Sequence, residues 1–321
     1  MKMDAYVSPN LTMTAYGLRT VGIKKFDSRD SEKFDGKDSF CSLFGIFNGH
    51  NGDEASFYAK ANLKKHIIAQ EEFWNDDDAS ITSAIKKGFV SCQDAMWHQS
   101  LQWPRPSSDS PSLSGTSASV VIFTRGKIFI GHVGDSKVVL GYQDPNSQHW
   151  IGQAMTTIHR PGDPKERAMI EAAGGKVSWK GGLANVVLRK PRPEDMGYET
   201  RSGLNQYEEV PFLPISRSLG DFWGYNFQRQ VHMVSPTPDV TVVEINKNFR
   251  CIILGNHGLW KLVSPQNAVH VVATDLGRNG VPDWYVPYPS KRLVEHGVAS
   301  LVSQYLHPEN ISAVTVVIEQ P

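Results

Sequence analysis

The sequence comprises 321 residues, of which 40% are hydrophobic, and its 33 Lys and Arg residues balance 33 Asp and Glu residues. This size and apolar content predict a sizeable core in one large domain or two small ones, and the neutral charge argues against nucleic acid or a membrane surface as the main partner. Three widely spaced cysteines argue against a disulfide framework or a paired-cysteine metal site, and without an apolar leader or a spanning run the sequence predicts an intracellular protein, cytoplasmic or nuclear.

The N-terminal part of the chain combines strand, loop and helix patterns. Within the poorly patterned residues 1–43, residues 16–23 predict a first strand, and the charged, glycine-interrupted stretch 24–39 predicts a loop. The apolar strand pattern of FGIFNGHNG, residues 44–52, continues into a sharp Gly-rich turn. Apolar residues at four-residue spacing then predict an amphipathic helix that buries Ala55, Ala59, Leu63 and Ile67.

The middle of the chain changes from a helical to an alternating pattern. A second helix is predicted over residues 82–103. Alternation with a period of two then predicts strands at 119–123, 127–133 and 137–141. Arg125 and Gly126, between the first two of these strands, are typical of a hairpin turn.

Further elements are predicted in the second half of the chain. Asp163 and Pro164 suit the first positions of a short helix, which glycines 174 and 175 end. Residues 189–209 are polar and predict a solvated flap. The remaining predicted elements are strands at 185–188, 239–245, 250–254 and 313–319 and helices at 265–272 and 290–305.

The order of these elements favours a single domain over residues 1–321. No linker rich in Pro, Gly or Ser divides the chain, and the helices arrive in pairs between groups of strands. This order predicts two antiparallel sheets with helices on the outside rather than a parallel βαβ array.

Short motifs along the chain resemble those of one protein family, in the same order. The segment 44–52 is similar to the F-x-x-x-D-G-H-x-G signature of the metal-dependent protein phosphatase 2C (PPM) family. Other segments resemble further family motifs, namely SGTSA at 114–118, VGDS at 133–136, DPKER at 163–167, SRSLGD at 216–221, GNHGLW at 255–260 and ENI at 309–311. The resemblance implies an α+β fold, a four-layer αββα sandwich of two antiparallel sheets flanked by helix pairs.

The resemblance also implies a serine/threonine phosphatase site in the cleft between the sheets. In such enzymes Mg²⁺ or Mn²⁺ ions hold a bridging water, which attacks phosphoserine or phosphothreonine directly. These hard cations prefer carboxylate oxygens, which also offset the positive charge of the two ions.

Three positions of that implied site depart from the family pattern. Asn48 stands where the family has the Asp that bridges both metals, and an amide supplies only one neutral oxygen. His257 stands at a second metal-binding Asp and exchanges a hard anion for a borderline nitrogen. Glu309 stands at the late Asp and is one methylene longer. These changes predict that binding of Mg²⁺ or Mn²⁺ is weak or lost.

Other positions match the family. Asp135 matches a metal-site Asp, the Gly49 carbonyl matches a metal ligand, and His50 matches the proposed general acid. The early phosphate-binding Arg has no secure counterpart, since the nearest candidate, RDSE at 29–32, has the wrong spacing. An alternative is a single transition metal held by Asn48, His50, Asp135, His257 and Glu309.

Within the family, the sequence resembles the delta-isoform branch, the nuclear phosphatase of the DNA-damage response. A basic, proline-containing substrate loop of that branch is similar to Arg189, Lys190 and Arg192 around Pro191. Acidic residues at 194, 195, 199, 208 and 209 dilute this positive charge, so the substrate preference stays open.

The sequence leads to three hypotheses on function. The first is a pseudophosphatase, catalytically impaired or inactive, that acts by binding or scaffolding a protein partner or a phosphoprotein. The second is an active metal-dependent phosphoserine/phosphothreonine phosphatase with an altered metal site. The third is a structural subunit of a larger assembly. None of them predicts nucleic acid or a membrane as a partner.

Overall fold

The computed structural model describes residues 2–7, 18–25, 33–34, 37–38, 41–106, 110–191, 207–277, 289–303 and 310–318. Its strands, in chain order, are β1 Lys2–Val7, β2 Leu18–Lys25, β3 Lys33–Phe34, β4 Lys37–Asp38, β5 Cys41–His50, β6 Gly115–Thr124, β7 Lys127–Val133, β8 Lys137–Gln143, β9 Trp150–Ala154, β10 Val177–Lys180, β11 Leu183–Pro191, β12 Tyr207–Leu213, β13 Leu219–Gly220, β14 Tyr225–Asn226, β15 Val231–His232, β16 Asp239–Glu244, β17 Phe249–Gly255 and β18 Ser312–Val317. Its helices are α1 Glu54–Ile68, α2 Asp78–Ser100, α3 Pro164–Ala172, α4 His257–Leu262, α5 Pro265–Leu276 and α6 Pro289–Ser303.

Two antiparallel sheets form the centre of the molecule. One has the strand order β16-β7-β6-β5-β2 and the other β1-β18-β17-β8-β9, and a separate three-stranded sheet is formed by β10-β11-β12. Apolar side chains fill the space between the two central sheets, among them Phe44, Ile130, Leu140 and Val314. Helices α1 and α2 pack on the outer face of the first sheet, and α5 and α6 on that of the second. The predicted αββα sandwich is therefore the observed fold.

Helix α1 is amphipathic as predicted, because Ala55, Ala59, Leu63 and Ile67 are all buried. Helix α2 begins at Asp78, and the side chain of Asp77 caps it by accepting a hydrogen bond from Ser80 N at 2.8 Å. The predicted bounds of 82 and 103 are both wrong by several residues. The true start is set by this capping carboxylate, which satisfies a free amide of the first turn.

The capping residues predicted for two later helices are confirmed. Asp163 Oδ1 accepts from Lys165 N at 2.9 Å, with Pro164 as the first residue of α3. Ser264 Oγ accepts from Asn267 N at 3.2 Å at the start of α5, which continues past the predicted end at residue 272 to Leu276. In the described part of the chain, no helix is long and apolar enough to cross a membrane.

Two predicted loops contain strands. In the stretch 24–39, β2 continues to Lys25, and β3 and β4 pair with each other. The predicted flap 189–209 begins and ends as strands, since β11 and β12 pair antiparallel with Arg189 opposite Glu209. Both interpretations were misled by charge: a strand with one solvated face tolerates charged side chains, and opposite charges on paired strands stabilise it. Residues 192–206 of that flap lie outside the described ranges.

Candidate functional site

The space between the central sheets changes from apolar to polar at one end. On the inner face of β5, Phe44 and Ile46 belong to the inter-sheet core, and the two-residue period of a strand places Asn48 and His50 on the same face. Strand β6 pairs antiparallel with β5, and β7 pairs antiparallel with β6. This register places Ser117 opposite Asn48, and Ser119 between Ile46 of β5 and His132 of β7. The predicted site residues of β5 therefore lie at the polar end of the sandwich.

Asn48 lies in the ladder beside the turn that carries Asp135. Asn48 is 6% exposed and lies opposite Ser117 on β6, whose hydroxyl is 2.7 Å from that of Ser136. Asp135 occupies the turn between β7 and β8. Gly134 precedes it with φ +98°, and a Cβ atom there would lie 2.4 Å from Ser117 Cβ. Glycine is required at this turn, which delivers Asp135 to the end of the sheet that carries Asn48.

Asp135 is paired with His257. Its Oδ2 atom lies 3.2 Å from Nδ1 of His257, the first residue of α4. Asn256 caps this helix and also receives a hydrogen bond from Ser312 N at 3.0 Å, which fixes the point where β17 ends and α4 begins. Burial acts to raise the pKa of the Asp135 carboxyl, but the hydrogen bond from His257 and the nearby His257 and His50 outweigh it and lower this pKa.

His50 is paired with a different carboxylate, that of Asp221. The His50 Nε2 atom lies 2.7 Å from Asp221 Oδ2, which also accepts from Ser218 Oγ at 2.5 Å. The other oxygen of Asp221 accepts from Trp223 Nε1 at 2.8 Å. Burial acts to lower the pKa of His50, but the charge and hydrogen bond of Asp221 outweigh it, so this pKa is raised. The imidazolium form of His50 is therefore favoured.

The close approach of His50 and Asp221 depends on Gly115. This residue lies opposite His50 in the β5–β6 ladder. A Cβ atom at Gly115 would lie 2.1 Å from Asp221 Oδ2 and 2.4 Å from His50 Nε2. The segment 216–221 resembles a family motif, but the sequence alone gives no role for Asp221. No linear signal connects two residues that are 171 positions apart.

A buried ion network lies beneath these residues. Arg217 donates to both carboxylate oxygens of Glu166 and, through Nη1, to Asp239 Oδ1 at 2.9 Å. Ser216 Oγ also donates to Glu166 Oε2 at 2.6 Å. The side chains of Arg217 and Glu166 are almost fully buried. Removing either partner would leave an uncompensated buried charge, so the motif residues around 166 and 217 have a structural role.

The remaining predicted site residues are dispersed or lie outside the described ranges. Arg189 pairs with Glu209 at 3.1 Å, and Lys190 lies opposite Glu208 in the β11–β12 ladder, so acidic strand partners face this part of the basic loop. Glu309, Arg192 and the residues 29–32 are outside the described chain. Asn310, which follows Glu309, accepts through its carbonyl from Asn256 Nδ2 at 2.6 Å. This bond ties the chain after Glu309 to the residue before His257.

The sequence reasoning missed one further basic residue. Arg19 of β2 lies opposite Gly49 in the ladder, next to the strand that carries Asn48 and His50. It lies inside the predicted first strand, but its position relative to the turn could be found only from the register of pairing.

The residues at this end of the sandwich do not fit two Mg²⁺ or Mn²⁺ ions. In the described part of the chain, no three His, Cys, Asp or Glu side chains are grouped as a metal site. Asn48 provides a neutral amide, and Asp135 is already paired with His257. Two divalent ions require several anionic ligands, and among the described residues Asp135 is the one carboxylate at the positions that the family resemblance assigns to metal ligands.

A family model described as Protein phosphatase 2C matches residues 18–301. The chain therefore belongs to the protein phosphatase 2C family, whose members are serine/threonine protein phosphatases. Protein phosphatase 2C homolog 2 of Aspergillus fumigatus is 27% identical over 248 residues, which are 75% of this chain and 47% of that protein. Probable protein phosphatase 2C 7 of rice (Oryza sativa subsp. japonica) is 25% identical over 289 residues, 90% of this chain and 64% of that protein. The chain thus spans about half to two-thirds of the length of these relatives.

Solved structures agree on the fold. A serine-threonine phosphatase 2C from Toxoplasma gondii superimposes with a TM-score of 0.67 and 21% identity, over 98% of this chain and 99% of that one. A sex determining protein of C. elegans superimposes with a TM-score of 0.66 and 18% identity, over 98% of this chain and 68% of that one. At these identities the likeness shows the αββα fold and leaves the activity to be argued from the site.

Proposed function

We propose that this chain is a pseudophosphatase of the protein phosphatase 2C fold, which binds a phosphoprotein partner and hydrolyses phosphoserine or phosphothreonine weakly or not at all. One observation carries the proposal: Asp135 Oδ2 lies 3.2 Å from Nδ1 of His257, so a histidine rather than a second carboxylate contacts this acid. By the family resemblance, both His257 and Asn48 occupy metal-binding Asp positions. The site has thus exchanged two anionic ligands for neutral side chains.

The loss of two carboxylates is large on the scale of metal binding. Each carboxylate beside a divalent ion contributes on the order of several kcal/mol even at an effective dielectric constant near 20. A factor of ten in affinity corresponds to about 1.4 kcal/mol. Binding of a pair of Mg²⁺ or Mn²⁺ ions should therefore be weaker by orders of magnitude, and hydrolysis by a metal-activated water with it.

Phosphopeptide binding can persist without these ions. His50 favours its charged form beside Asp221. Cationic side chains bind phosphate through charge-assisted hydrogen bonds. The proposed partner is therefore a phosphoserine or phosphothreonine protein, with no part for nucleic acid or membrane. The resemblance to the delta-isoform branch, carried by sequence segments such as 210–213, supports a nuclear phosphoprotein as the partner class.

The test compares binding with turnover on the same peptides. Fluorescence anisotropy measures binding of labelled phosphoserine and phosphothreonine peptides with EDTA present, against unphosphorylated controls. Phosphate release is then measured with Mg²⁺ and with Mn²⁺. We expect phosphate-dependent binding and little or no release. Rapid Mn²⁺-dependent release by the unmodified chain would overturn the proposal.

A second candidate, an active phosphatase with an altered metal site, is favoured by one observation. His50 and Asp135 remain at the positions that the family resemblance gives to the general acid and a metal ligand, and each influences the pKa of the other. The phosphate-release assay separates the two functions. Release that depends on Zn²⁺, Co²⁺ or Mn²⁺ would support this second candidate.

A further inference from the structure

Two cationic side chains, those of Lys137 and Arg160, flank the candidate site. Lys137 is the first residue of β8 and lies two positions after Asp135. In the ladder between β8 and β17 it is opposite Gly255, two positions before His257. The Lys137 backbone is therefore beside the paired Asp135 and His257 side chains.

Arg160 is held near the same turn by its neighbour His159. The His159 N–H donates to Gly134 O at 3.0 Å, and the Gly134 N–H donates to His159 Nδ1 at 3.1 Å. The buried His159 ring is fixed further by Asp239, at 3.1 Å from Nε2. These bonds fix the backbone at 159 against the turn that leads into Lys137, and the Arg160 side chain that follows is exposed.

The ammonium group of Lys137 lies over the aromatic ring of Trp260. Its Nζ atom is 5.7 Å from the centre of the Trp260 ring. The Trp260 Nε1–H donates to Lys137 O at 3.0 Å and to Gly255 O at 2.8 Å, so the ring is fixed against the start of β8. Trp260 follows His257 by three positions on α4, on the same side of the helix. The ammonium is thus held at the margin of the site.

Neither cation has an acidic partner among the residues that the structure describes. The ion pairs there use other basic residues, such as Lys127 with Asp78 and Arg217 with Glu166. Arg160 follows His159, whose backbone is bonded to Gly134, and Lys137 follows Gly134 by three positions, so both residues flank the turn at 134–136. Two cations without acidic partners at one turn favour the binding of an anion beside it.

We propose that Lys137 and Arg160 form an anion subsite that accepts an acidic group next to the phosphorylated residue of a bound peptide. That group is a carboxylate or a second phosphate. The guanidinium of Arg160 offers paired donors for either anion, and the ammonium of Lys137 adds a point charge fixed over Trp260. This subsite rests on the proposed phosphopeptide binding and adds a preference for acidic sequence context.

The test uses three phosphoserine peptides that differ only at the flanking positions, with Asp, phosphoserine or Ala there. The proteins are the unmodified chain, Lys137→Gln, Arg160→Gln, the double variant and a matched control, Lys180→Gln, at an exposed lysine of β10. The unmodified chain should bind the two acidic peptides roughly tenfold more tightly than the Ala peptide. The double variant should lose this preference and bind the Ala peptide as before, and Lys180→Gln should change nothing.

Two results would overturn the subsite. The first is that the preference for acidic peptides survives in the double variant. The second is that the double variant loses affinity for all three peptides equally, which would assign both residues to the main phosphate contact. If the unmodified chain binds no phosphopeptide, the proposed function fails, and inorganic phosphate decides the subsite alone. Phosphate should then shift the NMR signal of ¹³C-methylated Lys137 in the unmodified chain but not in Arg160→Gln. No shift in either protein rejects the subsite.

Discussion

The Nδ1 atom of His257 lies 3.2 Å from Oδ2 of Asp135, so two side chains at positions that the family resemblance assigns to metal ligands contact each other directly. The contact favours the charged form of a buried acid: burial acts to raise the pKa of the Asp135 carboxyl, but the hydrogen bond from His257 and the nearby histidines lower it.

Restoring the two carboxylates should restore metal binding. In the double variant Asn48→Asp and His257→Asp, two further carboxylates are added to the site of Asp135. The carboxylates repel one another until a divalent ion binds. We expect Mn²⁺ to raise the melting temperature of the double variant but not of the unmodified chain. Phosphate release with Mn²⁺ should rise roughly tenfold or more above the unmodified chain.

Each single variant should do little, because a half-built two-metal site holds neither ion well. Adding Glu309→Asp, which corrects the side-chain length inferred from the resemblance, should raise release further. The idea fails if the unmodified chain is already as active as the double variant. It also fails if the double variant folds and binds Mn²⁺ yet releases no phosphate, because a change elsewhere in the chain would then limit phosphate hydrolysis.

Periodicity predicted the elements that carry the site, because these elements have one strongly apolar face. The strand β7 has the predicted bounds, 127–133, and α1 buries the four predicted residues. Strand β9 escaped prediction because its five residues are partly or fully exposed at a sheet edge, which weakens the alternation. Strand β10 is similarly exposed.

The candidate site was predicted in part. The resemblance placed Asn48, Gly49, His50, Asp135, His257 and Glu309 in one site. Strand register and two serine hydroxyls bring the first four to one end of the sandwich, and Glu309 lies outside the described residues. The His50–Asp221 pair could not be predicted, because it depends on a contact across 171 positions and on the space left by Gly115. The register that places Arg19 opposite Gly49 is likewise a property of the folded sheet.

The native fold should be stable without a bound metal ion. The three apolar clusters between and outside the sheets, built around residues such as Phe89, Ile252 and Val269, do not involve the site residues. We expect a cooperative thermal transition whose midpoint EDTA leaves unchanged. A ligand present at 100 times its Kd would stabilise the native state by about 2.7 kcal/mol. A midpoint several degrees lower in EDTA would therefore show that a tightly bound ion supports the native state.

The Asp221→Asn variant should lower the pKa of His50. Asp221 holds the imidazolium through charge and a 2.7 Å hydrogen bond, and an amide supplies no charge. Because the folded pKa of His50 is raised, its stabilising effect is fully present below the unfolded pKa, about 6.5, and is lost as pH rises through the folded value. The stability difference between the two proteins should thus shrink at alkaline pH.

NMR titration of the His50 ring measures this directly. The matched control is Asp239→Asn, which removes the carboxylate beside His159 and should leave the His50 titration unchanged. An unchanged pKa of His50 in Asp221→Asn would show that other groups hold its charge.

Acid should destabilise the fold through His132. This ring is 1% exposed; its Nδ1 is 2.8 Å from Ser119 Oγ, and it stacks on His159 with ring centres 4.9 Å apart. Burial, followed by the His159 charge, lowers the pKa of His132 to about 3, despite opposing effects of Asp135 and Asp239. The unfolded chain, with a pKa of about 6.5, therefore binds the proton first as pH falls. The free energy of unfolding should decrease between about pH 6.5 and 3, with a slope of up to about 1.4 kcal/mol per pH unit from this group.

Urea unfolding at several pH values measures the slope. His132→Asn, which keeps an atom able to bond Ser119, should flatten it, whereas His270→Gln at an exposed position of α5 should not. An equal slope in the unmodified chain and His132→Asn would assign the acid sensitivity to other groups, first of all His159, whose pKa is lowered by burial and by Arg217.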